Sequence, residues 1–152
     1  MNKAFLLTKD GVADLEKELE TLIAERGPVA ERIKSARELG DLSENAEYQT
    51  AREEHDKLEG RISEIEHILR NVQIITKPRS GSKVQVGSTV KLKGEGKTKQ
   101  FQVVGTVEAD PLNGKISDES PIGQALLGKN LGDSVEIVTP AETSTYKITE
   151  IN

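Results

Sequence analysis

Two carboxylates three residues apart, Asp41 and Glu44, lie in the segment Gly40-Asp41-Leu42-Ser43-Glu44-Asn45, with Glu47 just beyond. Hard cations such as Mg²⁺ bind through one or two carboxylates and leave the other positions to water and phosphate oxygens. Two such groups on one turn would hold an ion weakly alone and usefully beside other ligands. The same residues have a simpler use. Asp41 or Ser43 could cap a following helix, with Glu44 and Glu47 favouring its positive end. Leu42 fits that use less well, since it would stand exposed with nothing to pack on.

Positive charge flanks this segment. Arg32, Lys34 and Arg37 precede it, and Arg52 and Lys57 follow it. Like charges on one surface suggest a polyanion nearby. An ordinary solvated face, paired with Glu31, Glu38, Glu53 and Asp56, is the equal alternative. Other chemistry finds little support. Gly94-Glu95-Gly96-Lys97-Thr98 has Lys91 where a phosphate loop needs its leading glycine, and it lies between strands instead of opening a helix. His55 and His67 are too far apart on one helix for a metal pair, and His55 falls at a packed position. The chain lacks cysteine, and neither histidine lies near a suitable serine.

The elements that must carry the acidic segment are legible from apolar spacing. Val12, Leu15, Leu19, Leu22, Val29, Ile33 and Ala36 are spaced 3-4-3-7-4-3, a heptad seam with Arg26 at the missing position. Thr8 is the expected N-cap. A second seam runs through Tyr48, Ala51, His55, Leu58, Ile62, Ile65, Leu69 and Val72. Facing residues of an antiparallel hairpin have numbers adding to a constant. Val12 with Val72, Leu15 with Leu69, Leu19 with Ile65 and Ala36 with Tyr48 all add to 84. The spacing therefore predicts one helical hairpin from Thr8 to Ile75 that turns at residue 42, each arm roughly 45 Å long. In that register Arg32 faces Arg52. Pro28 is expected to bend the first arm without breaking it. An intermolecular coiled coil is the alternative, but the matched seams favour a monomer.

Beyond the linker Lys77-Pro78-Arg79-Ser80-Gly81-Ser82 the apolar period falls to about two. Val84, Val86, Val90 and Leu92 suggest one strand region and Phe101, Val103 and Val107 another, with a turn at Gly94-Glu95-Gly96. Val135 with Ile137, and Tyr146 with Ile148, suggest two more. Ser120 to Gly128 reads as one short helix, with Ser120 as N-cap, Pro121 at its first position and Gly128 after its end. The expected fold class is α+β with two domains: a coiled-coil hairpin over 1–76, a linker over 77–82 and a small sheet domain over 83–152.

Composition agrees. Of 152 residues 34% are hydrophobic and 31% charged, too little apolar material for one thick core. No run approaches the ~20 apolar residues of a membrane span. The opening stretch is too short for a secretory signal, and with no cysteine a cytoplasmic residence is expected. The net charge of −5 argues against general coating of nucleic acid. That charge is uneven, with 11 basic and 17 acidic residues up to 76, and 10 and 9 beyond.

The run Ala36-Arg37-Glu38-Leu39-Gly40-Asp41-Leu42-Ser43-Glu44-Asn45-Ala46-Glu47-Tyr48 resembles the GreA/GreB family of transcript cleavage factors of bacterial RNA polymerase. Ala51-Arg52-Glu53, Ser120-Pro121-Ile122-Gly123 and Leu127-Gly128-Lys129 support the likeness, which spans essentially the whole chain; the acidic charge favours the A-type branch. The resemblance implies a finger that enters the secondary channel of a backtracked polymerase and stimulates cleavage of the nascent RNA 3′ end. Asp41 and Glu44 would then help hold a Mg²⁺ shared with the polymerase, which itself cuts; the factor is no enzyme. Tyr48 would support the tip, and Arg37 and Arg52 would lie near the RNA. The second half would be FKBP-like and dock on the channel rim through Ser120, Pro121, Ile122 and Gly123. An inhibitor that blocks the same channel remains a competing expectation. A second is an FKBP-like binding module, disfavoured because this half has only Phe101 and Tyr146 to line an aromatic pocket.

Overall fold

A computed structural model of the chain describes residues 4–40, 45–76, 78 and 83–152. Two compact units emerge, Val12–Asn71 and a second made of Met1–Gly11 with Val72–Asn152. The first is a helical hairpin. Helix α1 spans Lys9–Arg37 and α2 spans Ala46–Arg70. Their apolar seams meet as expected: Leu15, Ala36, Ala51, Leu58, Ile62 and Ile65 are buried. Two helices alone cover each other only partly, so Leu19, Leu22, Val29 and Ile33 stay half-buried. Near its end α2 buries Ile68 and leaves Leu69 half-buried. His55, expected in the packed seam, keeps 43% of its side chain exposed beside Asp56. The polar ring stays at the seam's edge.

Helix α1 runs through Pro28 without interruption. The missing N–H leaves the Ala24 carbonyl without its helical donor, and both residues are exposed, so water can replace the lost bond. At the other end of α1, Thr8 Oγ1 accepts from Gly11 N at 3.1 Å, the predicted N-cap. The cap is itself held within the second unit: the Glu108 carboxylate accepts from Thr8 N at 2.9 Å and from Thr8 Oγ1 at 2.6 Å.

The second arm of the hairpin ends earlier than expected. Asn71 terminates α2, its N–H bonding the Ile68 carbonyl and its side-chain amide the His67 carbonyl. Val72–Ile75 is then a strand, β2, paired in parallel with β1, Phe5–Thr8. Val72 therefore lies outside the helical seam. The run Val-Gln-Ile-Ile has the β-branched character of a strand, and pairing with β1 joins it to the sheet-bearing unit. The helical domain expected over 1–76 thus cedes Met1–Gly11 and Val72 onward to that unit.

That unit also holds a five-stranded sheet. Strands β3 (Thr89–Gly94), β4 (Lys97–Val104), β5 (Lys115–Ser117), β6 (Ser134–Val138) and β7 (Thr143–Ile151) lie in the order β5-β4-β3-β7-β6. Only β4 and β5 are parallel. The β3–β4 turn has positive φ at both Glu95 and Gly96, the pattern of a tight hairpin. Helix α3, Pro121–Leu126, is the short helix expected. Val90, Leu92, Val103, Leu126, Val135 and Ile148 form the centre of the core. Two strand assignments fail. Val84 and Val86 precede β3, and Val107 sits half-exposed in a 3-10 turn over Thr106–Glu108.

Candidate functional site

Asp41 and Glu44, the two carboxylates expected to matter most, lie outside the described residues, as do Leu42 and Ser43. The residues on either side describe the neck that carries them. Asn45 adopts extended backbone at φ −87° and its Oδ1 accepts from Tyr48 N at 3.1 Å, so Asn45 is the N-cap of α2. Its amide nitrogen donates at 2.7 Å to the Ala36 carbonyl, which also accepts from Leu39 N at 3.2 Å, near the end of α1. One side chain thus closes both helix ends. Asn45 thus stands at the N-cap position of α2, while Asp41 and Ser43, the caps expected there, lie outside the described residues. Glu47, in the first turn of α2, bonds Arg32 Nη2 at 3.1 Å. Among the described residues no three His, Asp or Glu side chains gather as a metal site.

Three arginines on the hairpin, Arg26, Arg32 and Arg61, are paired with carboxylates. Arg26 pairs with Glu59 across the arms, Nε to Oε1 at 2.8 Å. Arg61 pairs with Glu18 at 2.9 Å and with Glu64 at 3.1 Å. Arg32 bridges Glu47 and Glu54. The Arg26–Glu59 pair and the Arg32–Glu54 pair are centred close to residue 42, the turn position that the seams predict. The Arg32–Arg52 apposition predicted by the same register is neutralised, because Glu47 and Glu54 engage Arg32.

Arg37 and Arg52 behave otherwise. Among the described residues neither is paired with a carboxylate, and both converge on Tyr48. The Arg37 guanidinium lies 5.9 Å from the ring centroid, at cation–π range. Arg52 Nη1 donates to the phenol oxygen at 3.5 Å, the long end of a hydrogen bond. Arg52 first, and Arg37 after it, hold the phenol below its usual range, against a smaller upward push from desolvation. Tyr48 is half-buried, and its ring and phenol oxygen meet two exposed cations. Such a cluster can bind phosphate oxygens, to which guanidinium groups match in geometry and charge.

The third group of expected site residues has visible structural duties. Ser120 Oγ caps α3 by accepting from Gly123 N at 3.0 Å, and donates to the Ser117 carbonyl at 2.7 Å. Ile122 packs against the core. Gly123 is buried so close to the Ser117 carbonyl that any side chain would collide with it. Pro121 alone of the four is exposed, at the first helical position. Asn45 was not singled out from sequence as a site residue. Its signal was its place directly before the seam of α2, where an N-cap belongs.

Known proteins bear on the whole chain. Residues 5–74 match the family model described as transcription elongation factor, N-terminal, and residues 79–152 match that described as transcription elongation factor, GreA/GreB, C-term. The transcription elongation factor GreA of Thermoanaerobacter pseudethanolicus is 47% identical, with 99% of each chain covered. The factor of that name from Lactococcus lactis subsp. cremoris is 43% identical over 100% of both chains. A crystal structure of GreA factor homolog 1 from Thermus thermophilus is 30% identical over 99% of each chain, with a TM-score of 0.46.

Proposed function

Since the chain belongs to the GreA/GreB family of transcription elongation factors, we propose that it rescues backtracked bacterial RNA polymerase by stimulating cleavage of the nascent RNA 3′ end. The observation that carries this reading is the pair Arg37 and Arg52, held beside Tyr48 without carboxylate partners among the described residues. They flank the acidic segment in sequence, four residues before Asp41 and eight after Glu44, where an extruded RNA strand would bring its phosphates.

In this reading the polymerase supplies the catalytic centre and the chain completes it. Asp41 and Glu44 offer the hard oxygen donors that suit Mg²⁺, and two are enough when the partner enzyme supplies the rest. Such a shared ion, when bound, stabilises charge on the reacting oxygens of phosphodiester hydrolysis. Arg37 and Arg52 hold RNA phosphates, and Tyr48 fixes the guanidinium groups. Asn45 locks the two helix ends that present the turn. The Ser120–Gly123 stretch, with Pro121 exposed, contacts the rim of the secondary channel.

The test uses halted, backtracked elongation complexes with Mg²⁺ and either wild type or an Asp41→Ala, Glu44→Ala double variant. Wild type should release short RNA 3′ fragments, and the double variant should bind the polymerase yet release almost none. Absence of fragments with wild type overturns the cleavage reading. Equal release by the variant overturns the assignment of Asp41 and Glu44.

A further inference from the structure

Just before β5 the chain turns through Asp110 to Lys115, and this turn holds the dipeptide Asn113-Gly114, the one place where an asparagine precedes a glycine. Asn2, Asn45, Asn71 and Asn130 precede residues whose Cβ hinders approach to the next amide nitrogen. Gly114 has no Cβ, and it takes φ +75° without strain. Asn113 is exposed at the end of the 3-10 turn Pro111–Asn113. Two bonds restrain the pair. Asn113 Nδ2 donates to Asp110 Oδ2 at 2.6 Å, and Gly114 N donates to the Pro111 carbonyl at 3.1 Å. Asp110 and Lys115 close the turn, each N–H bonding the other's carbonyl, at 2.8 and 3.0 Å.

We propose that Asn113 is a site of spontaneous deamidation gated by Asp110. Gly114 N bonds to Asn113 Cγ, the Cγ–Nδ2 bond breaks, and Nδ2 leaves as ammonia with the proton that Gly114 N gives up. Water then opens the five-membered imide at either carbonyl, giving aspartate or isoaspartate. In the folded turn the Asp110 carboxylate holds the leaving amide and the Pro111 carbonyl holds the attacking nitrogen. Reaction therefore proceeds from a locally opened turn, and its rate reports that opening. Neither product restores the turn. The new carboxylate cannot donate to Asp110 and repels it, and isoaspartate adds a backbone carbon between the bridged Asp110 and Lys115. The disturbance falls where β5 enters the sheet. This three-residue edge strand is held by pairing with Gln102, Val103 and Val104, and by Gln102 N donating to the Gly114 carbonyl at 2.8 Å. Deamidation thus loosens β5.

The test follows the native full chain in mildly alkaline buffer. Tryptic digestion yields one peptide over 100–115, whose amide, aspartate and isoaspartate forms are resolved by chromatography and mass spectrometry. Asn113 should convert ahead of every other asparagine, and the converted protein should show faster amide exchange in β5 than fresh protein. Asp110→Ala should convert about fivefold faster than wild type, the effect of losing one charge-assisted hydrogen bond at an exposed site, with amide exchange in β3 and β7 unchanged. Asp110→Asn keeps a neutral acceptor and should fall between. Earlier conversion of another asparagine overturns the site. One common rate for wild type and both Asp110 variants overturns the gate, as does faster exchange across β3 and β7 in Asp110→Ala, which would mark general unfolding as the cause.

Discussion

Arg26, Arg32 and Arg61 spend their charge on holding two helices in register, whereas Arg37 and Arg52 gather beside a tyrosine with no carboxylate among the described residues. The two sets lie on the same pair of helices and have the same chemistry. What separates them is the supply of acidic side chains at the matching position of the opposite arm. Glu18, Glu47, Glu54 and Glu59 fall where a guanidinium can reach them from the facing helix. Near the turn the facing residue is Tyr48, whose ring attracts a cation without neutralising it. The register that pairs Arg26, Arg32 and Arg61 with carboxylates therefore leaves Arg37 and Arg52 to meet Tyr48 instead.

The sharpest break of this comparison is the Arg37→Ala, Arg52→Ala double variant. Each lost charge-assisted phosphate contact should lower stimulated cleavage roughly tenfold, while the thermal midpoint stays close to wild type. A comparable fall in midpoint would show that these arginines, too, serve the fold. Next in size is Asn45→Ala, which removes the cap of α2 and the bond to the Ala36 carbonyl. It should cost about 1 kcal/mol in denaturant unfolding, with faster amide exchange in the first turn of α2. Asn45→Asp keeps an acceptor for Tyr48 N and loses the donor, and should fall between.

Smaller still is Arg61→Ala. Its pairs with Glu18 and Glu64 are partly exposed, so solvent screening holds the loss below about 1 kcal/mol, and cleavage should not change. The smallest effect concerns acid. The hydrogen bond from Arg26, then its charge, holds the Glu59 carboxyl below its usual range despite opposing desolvation. Stability from this pair is thus complete above the unfolded carboxylate range and disappears as pH falls through the depressed folded value. Glu59→Gln should flatten the acid limb of a midpoint-against-pH curve slightly and leave neutral pH little changed.

Much of this arrangement could be read from residue types. The two heptad seams locate the turn because their register has one solution, and Thr8, Ser120 and Gly128 mark element ends through ordinary capping chemistry. The β1–β2 pair escapes such reading. Val72 continues the helical phase, and only pairing with Phe5–Thr8 reveals the strand. Asn45 is one of several capping candidates in its segment, distinguished by which residue takes the extended backbone. The fate of Arg32 is equally hidden, since adjacent carboxylates at Glu47 and Glu54 decide it and their reach depends on side-chain conformation. The strand order is hidden too, since β7 lies beside β3, which alternation alone does not supply.

The most direct test of the neck as an RNA contact places a photo-crosslinking amino acid at position 48, between the two free arginines, in backtracked elongation complexes. The account predicts a crosslink to the extruded 3′ segment of the nascent RNA, lost when the complex is advanced to a state without backtracking. A crosslink to polymerase protein alone, unchanged by backtracking, would contradict it.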